Sequence, residues 1–108
     1  MRVKKLKYML RLPEFTYIQP RSLKQATRVL ADLGPDAMLV AGGTDVYPKM
    51  KRGQFTPRTL ISLRALRELR GISHKKEGLW IGAGESLKTV SHHRLITKYL
   101  PALAHAAE

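Results

Sequence analysis

The feature that most constrains this 108-residue chain is a short apolar run that ends abruptly at two glycines. Residues 38–41 read Met-Leu-Val-Ala, and Gly42 and Gly43 follow directly. Four consecutive apolar residues bounded by turn residues are typical of a strand buried on both faces rather than of an edge strand. Thr44 or Asp45 can then cap a short helix. The segment therefore predicts a strand, a glycine turn and a helix N-terminus, in that order.

Such a turn favours the binding of an anion. Glycines allow backbone N–H groups to crowd together without interference from Cβ atoms, and a helix N-terminus adds partial positive charge. The Thr44 hydroxyl can donate to a phosphate oxygen. The spacing alone fits an ordinary capped strand-to-helix turn equally well. It matches neither a Walker loop nor a G-x-G-x-x-G fingerprint.

Patterns elsewhere predict an α+β (mixed α/β) fold, in which a small sheet packs with helices. The strand candidates are residues 15–18, 38–41 and 59–63, and a hairpin of residues 71–74 and 79–82 around a turn at 75–78. The helix candidates are residues 22–33, with Ser22 as cap, residues 46–51, residues 65–69, residues 86–100, with Ser86 as cap, and a further helix from Ala102. Length and the absence of a flexible linker predict one domain.

Composition excludes several classes of protein. The absence of cysteine removes disulfides, thiolate catalysis and iron–sulfur ligation. No apolar run approaches the roughly 18 residues of a membrane span, and no secretory signal opens the chain, so we expect a cytoplasmic protein. The net charge of +12 indicates attraction to an anionic partner. A small basic module that binds nucleic acid or another anion, without redox activity, is the alternative function. We disfavour nucleic acid because the basic residues are dispersed and the aromatic residues form no stacking platform.

Other candidate sites are weak. His92 and His93 are adjacent, so their rings point to different faces of a helix, and neither His74 nor His105 has a partner at metal-ligand spacing. We therefore predict no metal site and no catalytic residue. Trp80 is expected to pack in the core or at an interface.

A longer stretch of sequence around the two glycines resembles that of a known family. The string from Val40 to Lys51 resembles the first FAD-binding loop of the molybdopterin dehydrogenase flavin subunits. That group includes carbon monoxide dehydrogenase, xanthine dehydrogenase and 4-hydroxybenzoyl-CoA reductase. Residues 11–17 resemble the opening strand of the family, residues 22–33 its first helix, and residues 79–84 a later strand and turn. The resemblance thus covers nearly the whole chain.

The resemblance implies a PCMH-type FAD-binding domain and an oxidoreductase in which this segment holds the cofactor. It implies that a loop wraps the FAD pyrophosphate, and that a second, weaker contact lies further along the chain. The implied cofactor-binding residues are Leu39, Val40, Ala41, Gly42, Gly43, Thr44, Asp45, Val46, Ala83 and Gly84. The implied partners are a molybdopterin-binding subunit and an iron–sulfur subunit, which carry the other cofactors. Electrons would then pass between the iron–sulfur clusters and an external redox partner through the flavin.

The family pattern also sets expectations for the extent of the domain. Residues 1–12 are expected to form a basic N-terminal tail. Residues 13–108 are expected to be the N-terminal portion of the FAD-binding domain, truncated before a second glycine-rich loop. The segment by itself is therefore not expected to be an active enzyme.

Overall fold

A computed structural model of the chain describes residues 1–6, 14–44, 46–54 and 56–108. Within these ranges the chain divides into two compact units, Met1–Arg67 and Glu68–Glu108. The expectation of one domain, which rests on chain length and the absence of a flexible linker, stays a prediction. Each unit has its own sheet, so the division follows from strand pairing between residues that are distant in sequence.

Four described strands form the sheet of the first unit. They are β1 (Arg2–Leu6), β2 (Phe15–Gln19), β3 (Ala37–Val40) and β4 (Thr59–Ser62), in the order β1-β2-β4-β3. β1 runs antiparallel to β2, whereas β2 and β3 both run parallel to β4. The carboxyl ends of β2, β3 and β4 therefore lie at the same edge of the sheet.

β1 lies within the expected basic tail, residues 1–12. Its register with β2 runs from Arg2 opposite Gln19 to Leu6 opposite Phe15, so residues 2–6 are part of the sheet. Basic side chains such as Lys4 are exposed on this outer strand, and charged residues are common on sheet edges because they discourage further strand pairing. Residues 7–12 of the expected tail, and residue 13 that follows it, lie outside the described residues.

The prediction that the 38–41 run is buried on both faces is wrong. β3 is an edge strand, and Leu39 is 42% exposed. The strand with all four residues buried is β4, which lies between β2 and β3 in the sheet. An apolar run of four residues does not distinguish these two positions, because the order of strands in a sheet is set by tertiary pairing.

Two α-helices in the described part of the first unit accompany this sheet. α1 (Leu23–Leu33) begins where the Ser22 hydroxyl accepts a hydrogen bond from the Gln25 N–H at 3.1 Å, which confirms the predicted cap. α2 (Val46–Lys51) follows the glycine turn. The core of the unit is a buried cluster of Phe15, Val40, Met50 and Leu60.

The second unit is a hairpin followed by three short helices. β5 (Ile72–Lys75) and β6 (Gly78–Ile81) pair antiparallel, which confirms the predicted hairpin. The helices are α3 (Leu87–His92), α4 (Arg94–Tyr99) and α5 (Pro101–Ala106). Their buried residues are Val90, Ile96, Ala104 and Ala107, against which Ile72 and Leu79 of the hairpin pack.

The predicted continuous helix from 86 to 100 is two helices. His93 has extended backbone angles, φ −71° and ψ 132°, and separates α3 from α4. Its Nδ1 accepts a hydrogen bond from the Leu95 N–H at 3.1 Å, so the side chain caps α4. The sequence did not indicate this break, because the helical spacing of apolar residues continues across His93. The helical stretch predicted at 65–69 is a shorter 3-10 turn, Arg67–Leu69.

Candidate anion-binding site

The site predicted from sequence begins at the carboxyl end of β3. Leu39 and Val40 are the last two residues of that strand, and the Val40 side chain is buried in the core. Residues 41–44 form a loop, which we call the glycine loop, and Val46 is the first residue of α2. The predicted order of strand, glycine turn and helix is therefore confirmed. Asp45 lies outside the described residues.

The backbone N–H groups of the glycine loop are available to a ligand. Among the described residues, those of Gly42, Gly43 and Thr44 have no hydrogen-bond acceptor. Gly42 is exposed, and a Cβ placed on it would meet no described atom within 4 Å. N–H groups that have no acceptor in the described part of the chain, and that lie beside open space, can donate hydrogen bonds to an anion. The loop therefore fits a phosphate or pyrophosphate group.

The conformation of the glycine loop depends on Gly43. Its φ of +80° lies in the left-handed region that favours glycine. A Cβ at this position would overlap the Cε2 and Cδ2 atoms of the Tyr47 ring. Gly43 also accepts a hydrogen bond from the Tyr47 N–H at 3.2 Å. Tyr47 therefore packs directly onto Gly43, and no larger residue fits without displacement of the ring.

Tyr47 in turn packs against the core of the first unit. It is half-buried and contacts the cluster that contains Val40 and Met50. Burial is the largest of the effects that raise the pKa of its phenol, and the Tyr17 phenol adds to the rise, while the positive charge of Arg64 opposes it. The ring supports the glycine loop from its core side.

The segment after β4 lies beside the glycine loop. Val40 is the register partner of Ser62, and the Leu63 N–H donates to the Val40 carbonyl at 2.9 Å. The Arg64 N–H donates to the buried Ser62 hydroxyl at 3.3 Å. Neither Tyr47 nor Arg64 was assigned a packing or binding role from sequence. Both residues are brought to this edge by the parallel pairing of β3 and β4, for which the sequence offered no local signal.

The two remaining predicted residues lie in the second unit. Ala83 and Gly84 form a turn after β6, and the Gly84 N–H donates to the Leu69 carbonyl at 2.7 Å. This N–H group is therefore already paired, whereas Ala83 is exposed. Gly82 is packed tightly as well, because a Cβ there would collide with the backbone of Leu69 and Arg70. The glycines of this turn have a structural role in the close approach of two backbone segments.

Aromatic and histidine side chains of the second unit make local contacts. Trp80 is 54% exposed, with the Lys75 ammonium 4.8 Å from its ring centroid, so the expectation that it packs in the core is wrong. Its location at an interface stays a prediction. The His74 ring stacks on Tyr99 with centroids 4.6 Å apart. His92 Nδ1 lies 2.9 Å from the Lys88 carbonyl oxygen.

Two further properties hold for the part of the chain that the structure describes. No three histidine or acidic residues come together there as a possible metal site. None of the helices in the described ranges is both long and apolar enough to cross a membrane.

Comparison with known proteins identifies the family. Residues 13–108 match the family model described as "FAD binding domain in molybdopterin dehydrogenase". The carbon monoxide dehydrogenase medium chain of Hydrogenophaga pseudoflava is 36% identical over 96 residues, which are 89% of this chain and 33% of that protein. The xanthine dehydrogenase FAD-binding subunit of Escherichia coli O157:H7 is 34% identical over 93 residues, which are 85% of this chain and 32% of that protein.

A solved structure agrees with these relatives. Carbon monoxide dehydrogenase from Hydrogenophaga pseudoflava, in a form that lacks the Mo-pyranopterin moiety, matches with a TM-score of 0.84 and 36% identity. The match covers 87% of this chain and 33% of that chain. This chain therefore spans about a third of the length of the proteins it matches.

These matches confirm the predicted fold class, an α+β domain in which small sheets pack with helices. They also confirm the resemblance based on the glycine loop, because the matched region contains that loop. The family model covers nearly all of the chain, and relatives above 30% identity agree with it. The chain thus belongs to the family of FAD binding domains in molybdopterin dehydrogenases.

Proposed function

We propose that the chain binds the pyrophosphate of FAD at the glycine loop, as part of the flavin subunit of a molybdenum-containing hydroxylase or dehydrogenase. The observation that carries this proposal is the set of loop N–H groups, at Gly42, Gly43 and Thr44, that have no acceptor among the described residues. Membership of an FAD-binding family specifies which anion is expected there.

The residues of the site have distinct roles in this proposal. The N–H groups of Gly42, Gly43 and Thr44 donate to the pyrophosphate, and the exposed Thr44 hydroxyl is available as a further donor. The other proposed residues around the loop, which fix its position between β3 and α2, are Leu39, Val40, Ala41, Asp45 and Val46. Ala83 and Gly84 are proposed as a second, lesser contact, through groups other than the paired Gly84 N–H.

The bound flavin would supply the electron-carrying ring, and no residue of this chain is proposed as catalytic. The names of the relatives, a "medium chain" and a "FAD-binding subunit", support a role within a multi-subunit enzyme. We propose that a molybdopterin-binding subunit and an iron–sulfur subunit are the partners, and that electrons pass through the flavin between the clusters and an external redox partner. Residues 13–108 would be the N-terminal portion of the FAD-binding domain of this cytoplasmic enzyme.

The test is a titration of the purified chain with FAD, followed by flavin fluorescence at low and at moderate salt. The Gly43→Val variant places a side chain against the Tyr47 ring and should lose binding. Gly53→Val is the matched control, because Gly53 has a similar φ of +74° but no described atom within 4 Å of its Cβ position. Circular dichroism of each variant establishes that it is folded.

The outcomes separate the proposal from nonspecific attraction. Saturable binding that survives moderate salt in the wild-type chain and in Gly53→Val, but not in Gly43→Val, supports a pyrophosphate site at the glycine loop. Binding that disappears with salt in all three proteins would indicate only the +12 charge of the chain. That result, or no binding at all, contradicts FAD binding by this chain.

A further inference from the structure

The parallel pairing of β3 and β4 brings a second segment to the glycine loop. Val40, the last residue of β3, is the register partner of Ser62, the last residue of β4. The contact continues past the strands, because the Leu63 N–H donates to the Val40 carbonyl at 2.9 Å. The chain that leaves β4 therefore starts beside the chain that leaves β3 to form the loop.

Arg64 is the second residue after β4. Its N–H donates to the Ser62 hydroxyl at 3.3 Å, and because that hydroxyl is buried, the bond ties the Arg64 backbone to the end of the strand. The residue as a whole is exposed. A positively charged residue with an exposed surface thus lies at the same edge of the sheet as the N–H groups of the glycine loop.

The electrostatic effect of Arg64 supports this placement. The positive charge of its guanidinium lowers the pKa of the Tyr47 phenol, although burial raises that pKa by more. Tyr47 is the side chain that packs onto Gly43. The positive charge of Arg64 therefore reaches the immediate surroundings of the glycine loop.

We propose that Arg64 is a further binding residue for the anion that the glycine loop holds, and that its guanidinium contacts a phosphate group of the nucleotide. This inference rests on the proposed function. The loop supplies N–H dipoles, whereas a guanidinium supplies a full charge and a planar set of donors that can bind two phosphate oxygens at once.

Arg58, which lies at the other end of β4, offers a matched control. It immediately precedes β4, where its N–H donates to the Asp36 carbonyl at 3.1 Å and its carbonyl accepts from the Thr16 N–H at 2.9 Å. Both arginines are exposed. Arg58 lies one residue before β4 and Arg64 lies two residues after it, so the two positions are at opposite ends of that strand. Removal of either arginine lowers the net charge from +12 by one, so nonspecific attraction changes equally.

The experiment measures the dissociation constant of FAD, and its displacement by inorganic pyrophosphate, for the wild-type chain, Arg64→Ala, Arg64→Lys and Arg58→Ala. We expect Arg64→Ala to weaken FAD binding about tenfold or more at moderate salt, because a charge-assisted contact is lost. Arg58→Ala should change it less than about twofold. Arg64→Lys, which keeps the charge but not the planar fork, should restore part of the affinity. The dissociation constant of pyrophosphate obtained from the same competition should also rise in Arg64→Ala, because the proposed contact is to a phosphate group.

The outcomes distinguish this inference from the function on which it rests. If Arg64→Ala and Arg58→Ala weaken FAD binding equally, Arg64 has no specific role in binding. If Gly43→Val still abolishes FAD binding in the same experiment, the glycine loop remains the binding site. Failure of the wild-type chain to bind FAD would overturn both. Thermal unfolding of each variant is measured in parallel, and lost affinity at an unchanged melting temperature, with recovery in Arg64→Lys, supports a direct contact.

Discussion

Replacement of Gly43 by alanine tests the structural basis of the glycine loop. Two separate costs follow from the structure. The φ of +80° is unfavourable for any residue with a Cβ, and the new Cβ would overlap the Tyr47 ring. Gly53 isolates the first cost, because its φ of +74° is similar and no described atom lies within 4 Å of its Cβ position. A comparison of the two alanine variants therefore measures the packing of Tyr47 on Gly43.

The expected magnitudes differ between the two sites. Left-handed backbone in a residue with a Cβ costs about 1–2 kcal/mol, which is the full effect expected of Gly53→Ala. At Gly43 the Tyr47 ring must also move away from its contacts with the core cluster, and forced overpacking of this kind costs about 1–3 kcal/mol more. We therefore expect Gly43→Ala to lower the free energy of unfolding by about 3 kcal/mol.

Equilibrium urea unfolding, followed by circular dichroism, gives the free energy of each variant. The double variant Gly43→Ala/Tyr47→Ala removes the ring that the new methyl group would meet. Its loss of stability should therefore be smaller than the two single losses combined, by about the packing cost. Equal destabilisation by Gly43→Ala and Gly53→Ala, with additive behaviour of the double variant, would refute the packing of Tyr47 on Gly43.

Two further predictions concern stability. Gly82→Ala should lower the free energy of unfolding by about 1–3 kcal/mol, because a Cβ would come within 2.8 Å of the Arg70 backbone, whereas Gly42→Ala, where the Cβ position is open, should be nearly neutral in the same urea experiment. Burial raises the pKa of Tyr47 above the ordinary value of 10.0, so its contribution to stability is complete below pH 10 and is lost as the pH rises through the raised pKa. Unfolding measured across the alkaline range should show a smaller decline for Tyr47→Phe than for the wild-type chain, and identical declines would contradict the raised pKa.

Local signals allowed several elements to be predicted. Ser22 and Ser86 were assigned as helix caps from sequence, and both hydroxyls accept a hydrogen bond from the N–H group three residues later. The hairpin was predicted from the turn chemistry before Gly78. Each of these features depends on residues within a few positions of one another. The sequence therefore contains the information that defines them.

Features set by contacts between distant residues were not predicted. β1 carries basic residues with no strand-like apolar alternation, and it is a strand because β2 supplies its hydrogen-bond partners. β3 was expected to be the doubly buried strand, but the pairing order gives that position to β4. The predicted helix is broken at His93, whose side chain caps α4. The helical spacing of apolar residues continues across this position and gives no sign of the break.

The sequence by itself determined the order of strand, glycine turn and helix around Gly42 and Gly43, and the family to which the chain belongs. Both are properties of consecutive residues, whose types select backbone conformation directly. Only the tertiary structure decided which side chains surround that turn. Tyr47 packs onto Gly43, and Arg64 reaches the same edge because β3 and β4 pair in parallel, with Val40 opposite Ser62. Strand pairing joins segments that are about twenty residues apart, and no local pattern specifies it.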